Sequence, residues 1–344
     1  MSSVIAQQLW FTDERQLELR TEKLRALKTG ELLVQTEISA VSAGTELLVY
    51  RGQIPAEMAL DANLETLQHR SNFPLQYGYA AVGRVIQVTA EVDIKWLGKR
   101  VFAFQPHASH FITTPANLIP VPDDICAAGA AFLANMETAV NLVQDSKPAL
   151  GEQVVVLGQG IVGLLVSSLL AQHPLSYLSA ADNIEARRQR ALVLGAHHVF
   201  DPLLESDIKI LKQQLASANT KGADLILELS GVPEALNLAI ELSGFTSRIV
   251  IGSWYGNKSA NIALGGDAHR NQLKIITSQV SNIAPELSGR WDKARRFELA
   301  WKLIRERKPE KLITHCVPIA EAAGLYESLD KNPSDILQAV FTYI

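Results

Sequence analysis

The stretch "VVVLGQGIVGLL" places Gly158, Gly160 and Gly163 where a buried β-like run ends and a helical run begins. Few patterns narrow a fold so far. Gly158 permits a tight turn, Gly160 lets the backbone come close to a bound group, and Gly163 lets the helix pack on the strand. The first amides of the helix have no partner within it and carry the positive end of its dipole, so an anion is the group such a turn receives. Alone, this glycine spacing is weak, since ordinary packed turns share it. Here the next β-like run, "SYLSAAD", ends in Asp182 about twenty residues on, where a carboxylate accepts from adenosine ribose hydroxyls and repels a 2′-phosphate. Together they predict a dinucleotide site, with Gly158, Gln159, Gly160, Ile161, Val162 and Gly163 against the pyrophosphate and Asp182 against the ribose. NAD is the expected cofactor and NADP the lesser one. Arg187 and Arg188 follow Asp182 closely and could meet a phosphate; a solvated helix face is the competing reading for them.

From about Ala130 the chain alternates strand and helix: "QVVVLG", a helix from Ile161, "SYLSAAD", a helix through "EARRQRALVLGA", "HHVF", a helix near Asp207, "ADLILELS", a helix from Pro233, "SRIVIGS" and "LKIITSQV". Six strands with helical crossovers make an α/β fold, a doubly wound parallel six-stranded sheet of Rossmann type. Ligands bind at the carboxyl edge of such sheets. That directs attention to Leu229, Ser230 and Gly231 after the fourth strand and to Ile251, Gly252 and Ser253 after the fifth, whose main chain is expected to meet the nicotinamide carboxamide. Trp254 and Tyr255 either line the substrate or dimer side or are buried aromatics without chemistry. Before Ala130 the runs are short and β-like, as in "ELLVQTEISAVS", "VGRVIQV" and "KRVFAF". After Val280 come an amphipathic helix, "WDKARRFELAWKLIRER", then "LITHCVPI" and "LQAVFTY". The expected division is a mostly β substrate domain from residues 1–130 and 281–344, split around a dinucleotide-binding domain at 131–280.

A chain of 344 residues with 47% hydrophobic content suits two domains of ordinary size. With 32 basic against 36 acidic residues there is no basic excess, so nucleic acid and anionic membrane surfaces have no electrostatic support as partners. A small molecule is the better expectation. The two cysteines, Cys126 and Cys316, are too few for a disulfide framework or a Cys-rich zinc site, which fits a reducing cytoplasm. The start "MSSVIAQQLWFTDERQ" lacks the basic, apolar and cleavage regions of an export signal, and no run of eighteen apolar residues occurs. "LKIITSQV", Leu273 to Val280, reads as an apolar edge strand and predicts a homodimer formed through the cofactor domain.

Four further segments, "VSAGTELLVYRG", "YGYAAVGRVIQV", "LANMETAVNLV" and "LITHCVPIAEA", follow an order that resembles the medium-chain dehydrogenase/reductase superfamily, on its alcohol and threonine dehydrogenase side, over nearly the whole chain. The resemblance implies a GroES-like substrate domain around the Rossmann domain and an NAD(P)-dependent oxidoreductase acting on an alcohol or carbonyl. Zinc members carry Cys-x-[ST]-[DE] and Gly-His-Glu-x-x-Gly at the first two segments. Carried across, Ala43 stands at the ligand cysteine, Thr45 at the proton-relay hydroxyl, Tyr79 at the ligand histidine and Ala80 at the adjacent glutamate. The four-cysteine structural lobe expected after "GKRVFAF" is replaced by "QPHASHF". Zinc needs three or four converging Cys, His or carboxylate ligands. The expectation is therefore a metal-free member, similar to the zinc-ligand-lacking group around hydroxyethyl-bacteriochlorophyllide dehydrogenase. The competing reading is a metal site of His107 and His110 with Glu46 or Glu137. Gln53 to Gln76, a long link between two of these segments, reads as a substrate lid or as a surface insertion.

Hydride transfer at a carbonyl or alcohol carbon needs a group that stabilises the developing alkoxide and a route for its proton. Tyr79 is the first candidate, as a hydrogen-bond donor with Thr45 as relay; its competing role is to fill the vacated metal space. Glu137 is a candidate base, or an ordinary structural carboxylate, and His110 is a further candidate. Two other functions stay open on the sequence: an NADPH-dependent reductase of activated double bonds, and an NAD(H)-binding protein without turnover.

Overall fold

The computed structural model describes residues 4–55, 72–216 and 221–343. Most of the expected lid, residues 56–71, lies outside them. The chain divides into two compact units, one formed by Met1–Ala134 with Trp301–Ile344 and the other by Asn135–Ala300.

The first unit opens with an antiparallel hairpin of β1 (Ile5–Asp13) and β2 (Gln16–Lys23). There follow β3 (Leu32–Ala40), helix α1 (Ala43–Tyr50), β4 (Ala81–Val88), β5 (Arg100–Ala103), β6 (His110–Thr113), β7 (Ile119–Pro120) and the short helix α2 (Ala127–Ala130). Leu32 and Val34 of β3 pack with Val85, Val101 and Phe111 from the neighbouring strands in one apolar cluster. These alternate residues share one face of pleated strands, which is what burying a single face of a mixed sheet demands.

Helix α3 (Leu133–Ser146) carries the chain across the division. The second unit then runs β8 (Gln153–Leu157), α4 (Ile161–Leu170), β9 (Tyr177–Ala181), α5 (Glu185–Val193), β10 (His198–Phe200), α6 (Glu205–Ala216), β11 (Ala223–Glu228), α7 (Ala235–Leu242), β12 (Ser243–Ile251), β13 (Lys274–Thr277) and α8 (Lys293–Arg307). The six strands pair in the order β10-β9-β8-β11-β12-β13, every pair parallel. The chain reverses its direction of winding between β8 and β11, which makes their carboxyl ends the switch point of the sheet. Every residue of β8 is buried, as a strand covered by helices on both faces requires.

The chain returns to the first unit with β14 (Ile313–Pro318), α9 (Ala322–Lys331) and β15 (Gln338–Thr342). The larger sheet there has the order β14-β15-β3-β4-β5-β7, with β6 also paired to β3. The sequence places the start of this return at residue 281, whereas the second unit extends to Ala300. The reason lies in α8: Arg296 is fully buried, and its Nε and Nη2 donate to Glu137 Oε1 on α3 at 3.0 and 2.9 Å. An apolar-periodicity reading sees an exposed basic face there. Among the described residues no helix is long and apolar enough to cross a membrane.

Candidate active site

In the second unit the glycine turn has the geometry a nucleotide cradle needs. Gly158 adopts a φ of +91°, and a Cβ there would lie 2.6 Å from the backbone of Leu229. A Cβ on Gly163 would lie 1.9 Å from the Gly158 carbonyl oxygen. Gly160, the N-cap of α4, has open space where its Cβ would be. Two glycines thus allow close packing inside the protein, and the third leaves room outside it. The Gln159 side chain turns inward, its Nε2 donating to the Val156 carbonyl and its Oε1 accepting from Ser167.

Asp182 follows β9 and is nearly buried. Its Oδ2 accepts from Gln159 N at 2.8 Å and its Oδ1 from Ile184 N at 2.9 Å, so it fixes the glycine turn to the next loop. Arg187 Nη1 stands 3.9 Å from Asp182 Oδ2, while Arg188 donates to the Asp182 carbonyl and to Asp201. The aspartate thus stands beside the glycine turn and anchors it.

Leu229, Ser230 and Gly231 follow β11, and Gly252 and Ser253 follow Ile251 at the end of β12. These two strands are parallel and pair Glu228 with Ile251, which brings both loops to the same edge. Glu228 is fully buried there and accepts from Ser230 N at 2.8 Å and from the Tyr255 hydroxyl at 2.5 Å. Burial, and then the charge of Glu228, push the Tyr255 phenol far above its ordinary range.

In the first unit, the segment "YGY" folds back beside α1. The Tyr79 hydroxyl is hydrogen-bonded to Ser42 Oγ and stands 3.4 Å from Thr45 Oγ1. Tyr79 and Thr45 are both half-buried, so this group of hydroxyls is reachable from solvent. Ser42 is the N-cap of α1, yet its side chain caps nothing because Tyr79 has taken it. Glu46 supplies the missing restraint, its Oε1 accepting from Ser42 N at 2.7 Å. Behind Glu46 lies a buried chain of polar groups. Glu46 Oε2 accepts from the Tyr326 hydroxyl and lies 3.0 Å from His107 Nε2; His107 Nδ1 lies 2.6 Å from Ser39 Oγ, which lies 2.6 Å from the Tyr343 hydroxyl. Burial holds both tyrosine hydroxyls well above their ordinary range. Gly78 has a φ of +119°, and a Cβ there would meet the His107 ring at 2.8 Å. Only glycine lets the turn between the two tyrosines fit against that imidazole.

Tyr79 and Thr45 are thus brought together, and Glu137 and His110 have partners of their own. Glu137 belongs to the second unit and is claimed by cations: its Oε1 accepts from Arg296 and from Lys293 Nζ at 2.8 Å. This replaces the candidate base with a buried ion pair. His110 opens β6, with its Nδ1 3.1 Å from Ser109 Oγ, and lines a depression with Gln7, Pro318 and Thr342. Burial lowers its pKa and favours the neutral ring. His107, by contrast, pairs with Glu46, while His110 pairs with Ser109, so the two histidines do not share Glu46. Among the described residues no group of three or more His, Cys, Asp or Glu side chains could hold a metal ion. Ala43, Tyr79 and Ala80 do not fit a zinc ion, since alanine has no donor atom and a phenol is not among its usual ligands. Reading the sequence alone misses Ser42, Ser39, Tyr326, Tyr343 and Glu228. A signal exists for two of them: Ser42 precedes Glu46 by four residues at a helix start, and Glu228 is the one acid ending the apolar run "ADLILE".

The sequence profile of the zinc-binding dehydrogenase family matches residues 162–297, the bulk of the sheet unit. D-guloside 3-dehydrogenase of Escherichia coli K12 is 24% identical over 337 residues, which cover 93% of this chain and 95% of that protein. The fold is similar to that of a short chain alcohol dehydrogenase from Escherichia coli CFT073 in complex with NADH, with a TM-score of 0.78 and 17% identity over 98% of this chain and 99% of the other. It is also similar to 2R,3R-butanediol dehydrogenase from Bacillus subtilis, with a TM-score of 0.77 and 19% identity over 98% and 99% of the two chains. The glycine turn, the six-stranded parallel sheet and the match to these relatives are what the chain shares with the medium-chain dehydrogenase/reductase superfamily.

Proposed function

We propose that the chain is a metal-free, NAD(P)(H)-dependent dehydrogenase that moves hydride between a nicotinamide and the secondary alcohol or carbonyl carbon of a small molecule, with NAD the preferred cofactor. The observation that carries this reading is the Tyr79 hydroxyl, held by Ser42 and beside Thr45, at the position where zinc members have a ligand histidine. The open space at Gly160 and the carboxylate of Asp182 fit a dinucleotide, whose pyrophosphate the amides of Gly160, Ile161 and Val162 at the start of α4 would receive. When bound, the nicotinamide supplies or accepts the hydride.

Tyr79 does the work a metal does elsewhere. Its phenol donates to Ser42 Oγ and faces Thr45 Oγ1 in the unliganded protein, and redirecting that proton to a substrate oxygen leaves the two hydroxyls placed to donate back to the phenol oxygen. That arrangement strengthens as negative charge grows on the substrate oxygen, which is what lowers a barrier rather than merely binding substrate. Asp182 accepts from the ribose hydroxyls, and its charge disfavours a 2′-phosphate. Relatives named for dehydrogenation of a guloside at position 3 and of butanediol support an alcohol as substrate.

The test is single-turnover transfer from NADH labelled with deuterium at the nicotinamide C4, across a panel of ketones, with metal content measured on the same sample. Deuterium on the carbon that bears oxygen, with no stoichiometric zinc, is the expected result. Deuterium on the carbon β to a carbonyl would mark a double-bond reductase, and one tightly held zinc per chain would overturn the metal-free mechanism.

A further inference from the structure

Glu228 is fully buried, and no cation is among its hydrogen-bond donors. A carboxylate removed from water is tolerated when donors satisfy it, and here they come from two different loops. Ser230 donates through both its amide and its hydroxyl from the loop after β11, and Tyr255 donates from the loop after β12. The main chain adds further ties: Gly252 N and Ser253 N donate to the Glu228 carbonyl at 3.0 and 3.2 Å, and Gly231 N donates to Ser253 Oγ at 2.9 Å. Lys258 Nζ reaches the Gly231 carbonyl at 2.7 Å. There is no slack beneath these ties, because a Cβ on Gly252 would lie 2.5 Å from the side chains of Leu142 and Leu229.

A doubly wound sheet is two mononucleotide-binding halves, and β8 to β10 with the glycine turn form the half that takes adenosine and the pyrophosphate. The loops after β11 and β12 belong to the other half. We propose that Glu228 and Tyr255 are positioning residues for the nicotinamide end of the cofactor: the carboxylate and the phenol lock the two loops to each other, so that Leu229 to Gly231 and Ile251 to Ser253 present a fixed main-chain surface to that ring. Burial and the neighbouring Glu228 favour the protonated phenol of Tyr255, which suits its place as a donor. This inference rests on the cofactor assignment above and deepens it, because it separates what holds the adenosine half from what holds the nicotinamide half.

The experiment compares NADH with ADP-ribose, which keeps the adenosine and the pyrophosphate but lacks the nicotinamide, binding to the full-length protein and to Tyr255→Phe by calorimetric titration. Loss of one hydrogen bond to a charged acceptor is expected to weaken NADH about tenfold in Tyr255→Phe, with ADP-ribose changed by less than about twofold. Glu228→Gln should move the same way, since an amide nitrogen must face one of the donors. Should Tyr255→Phe fail to fold, Ser253→Ala, which removes the acceptor for Gly231 N, carries the same comparison. Equal weakening of both ligands, or unchanged NADH affinity, would overturn the positioning role. An unmodified protein that binds ADP-ribose but neither NADH nor NADPH would instead overturn the oxidoreductase reading on which it rests.

Discussion

Glu46 Oε2 lies 3.0 Å from His107 Nε2, and neither side chain is exposed at all. The same carboxylate receives the Tyr326 hydroxyl and the Ser42 amide, so it joins α1, the segment before β6 and α9. Truncation in Glu46→Ala leaves the imidazole, the phenol and an amide without their shared acceptor. Removing one partner of a buried charged set costs about 3–5 kcal/mol. Urea unfolding should show a loss of that size, and Glu46→Gln, which keeps an acceptor, should lose less.

Tyr79→Phe removes one hydroxyl at nearly constant volume. Single-turnover hydride transfer should fall by about 10²-fold to 10³-fold while NADH affinity stays the same, since the donor acts on the charge that develops at the transition state. Ser42→Ala should slow the step less, because Thr45 remains within 3.4 Å of the phenol oxygen. An unchanged rate in Tyr79→Phe would reduce the tyrosine to a filler of the zinc position.

Asp182 should make NADH bind more tightly than NADPH, and fluorescence titration with both reads this out. Asp182→Ser should narrow the gap by about tenfold, the order of effect of one nearby like charge. Because Asp182 also anchors Gln159 N, the variant should lose some affinity for both cofactors. Equal affinities in the unmodified protein would mean that Arg187 or Arg188 outweighs the carboxylate.

Asp330 on α9 is held by Arg51 and Arg15, at 2.5 and 2.9 Å. Burial pushes its pKa up, but the two guanidinium bonds outweigh it, and the net shift is below the ordinary value of 3.8. A carboxyl depressed in the folded state stabilises the fold above about pH 4 and loses that contribution as pH falls through its folded value. Asp330→Asn should therefore lower stability by about 1–2 kcal/mol at neutral pH, a modest figure because Arg15 is half-exposed and screened. The same variant should show a flatter loss of stability below about pH 4 in thermal melts.

All four residues of β13 are exposed, and β13 ends the parallel sheet. An apolar edge bearing Ile275 and Ile276 leaves backbone groups open to pairing. Light scattering should give a dimer, and Ile276→Lys should shift it toward monomer; a monomeric unmodified protein would refute this.

The sheet unit was legible because its strands are covered on both faces and read as unbroken apolar runs, as "VVV" in β8 does, and because glycine spacing is a local property of one turn. The group of hydroxyls around Tyr79 was half legible. Tyr79 stood out by its place in the motif order, but its partner Ser42 lies 37 residues away and the Tyr326 that backs Glu46 lies 280 away. Hydroxyl groups have no characteristic spacing, so nothing along the chain marks such a pairing in advance. Glu137 reads as a free carboxylate for the same reason: Arg296, which neutralises it, is 159 residues downstream.

The three-way commitment of Glu46 also bears on how this lineage can change. Tyr79→His alone would bring one imidazole to stand with Ala43 and Ala80, short of any metal's needs. Recruiting Glu46 as a further ligand would first strip Tyr326, His107 and the Ser42 amide of their acceptor, at a loss comparable to much of a domain's stability. Each single step toward a metal site at this place is thus uphill before any ligand set is complete, and the buried glutamate works as a ratchet against that change.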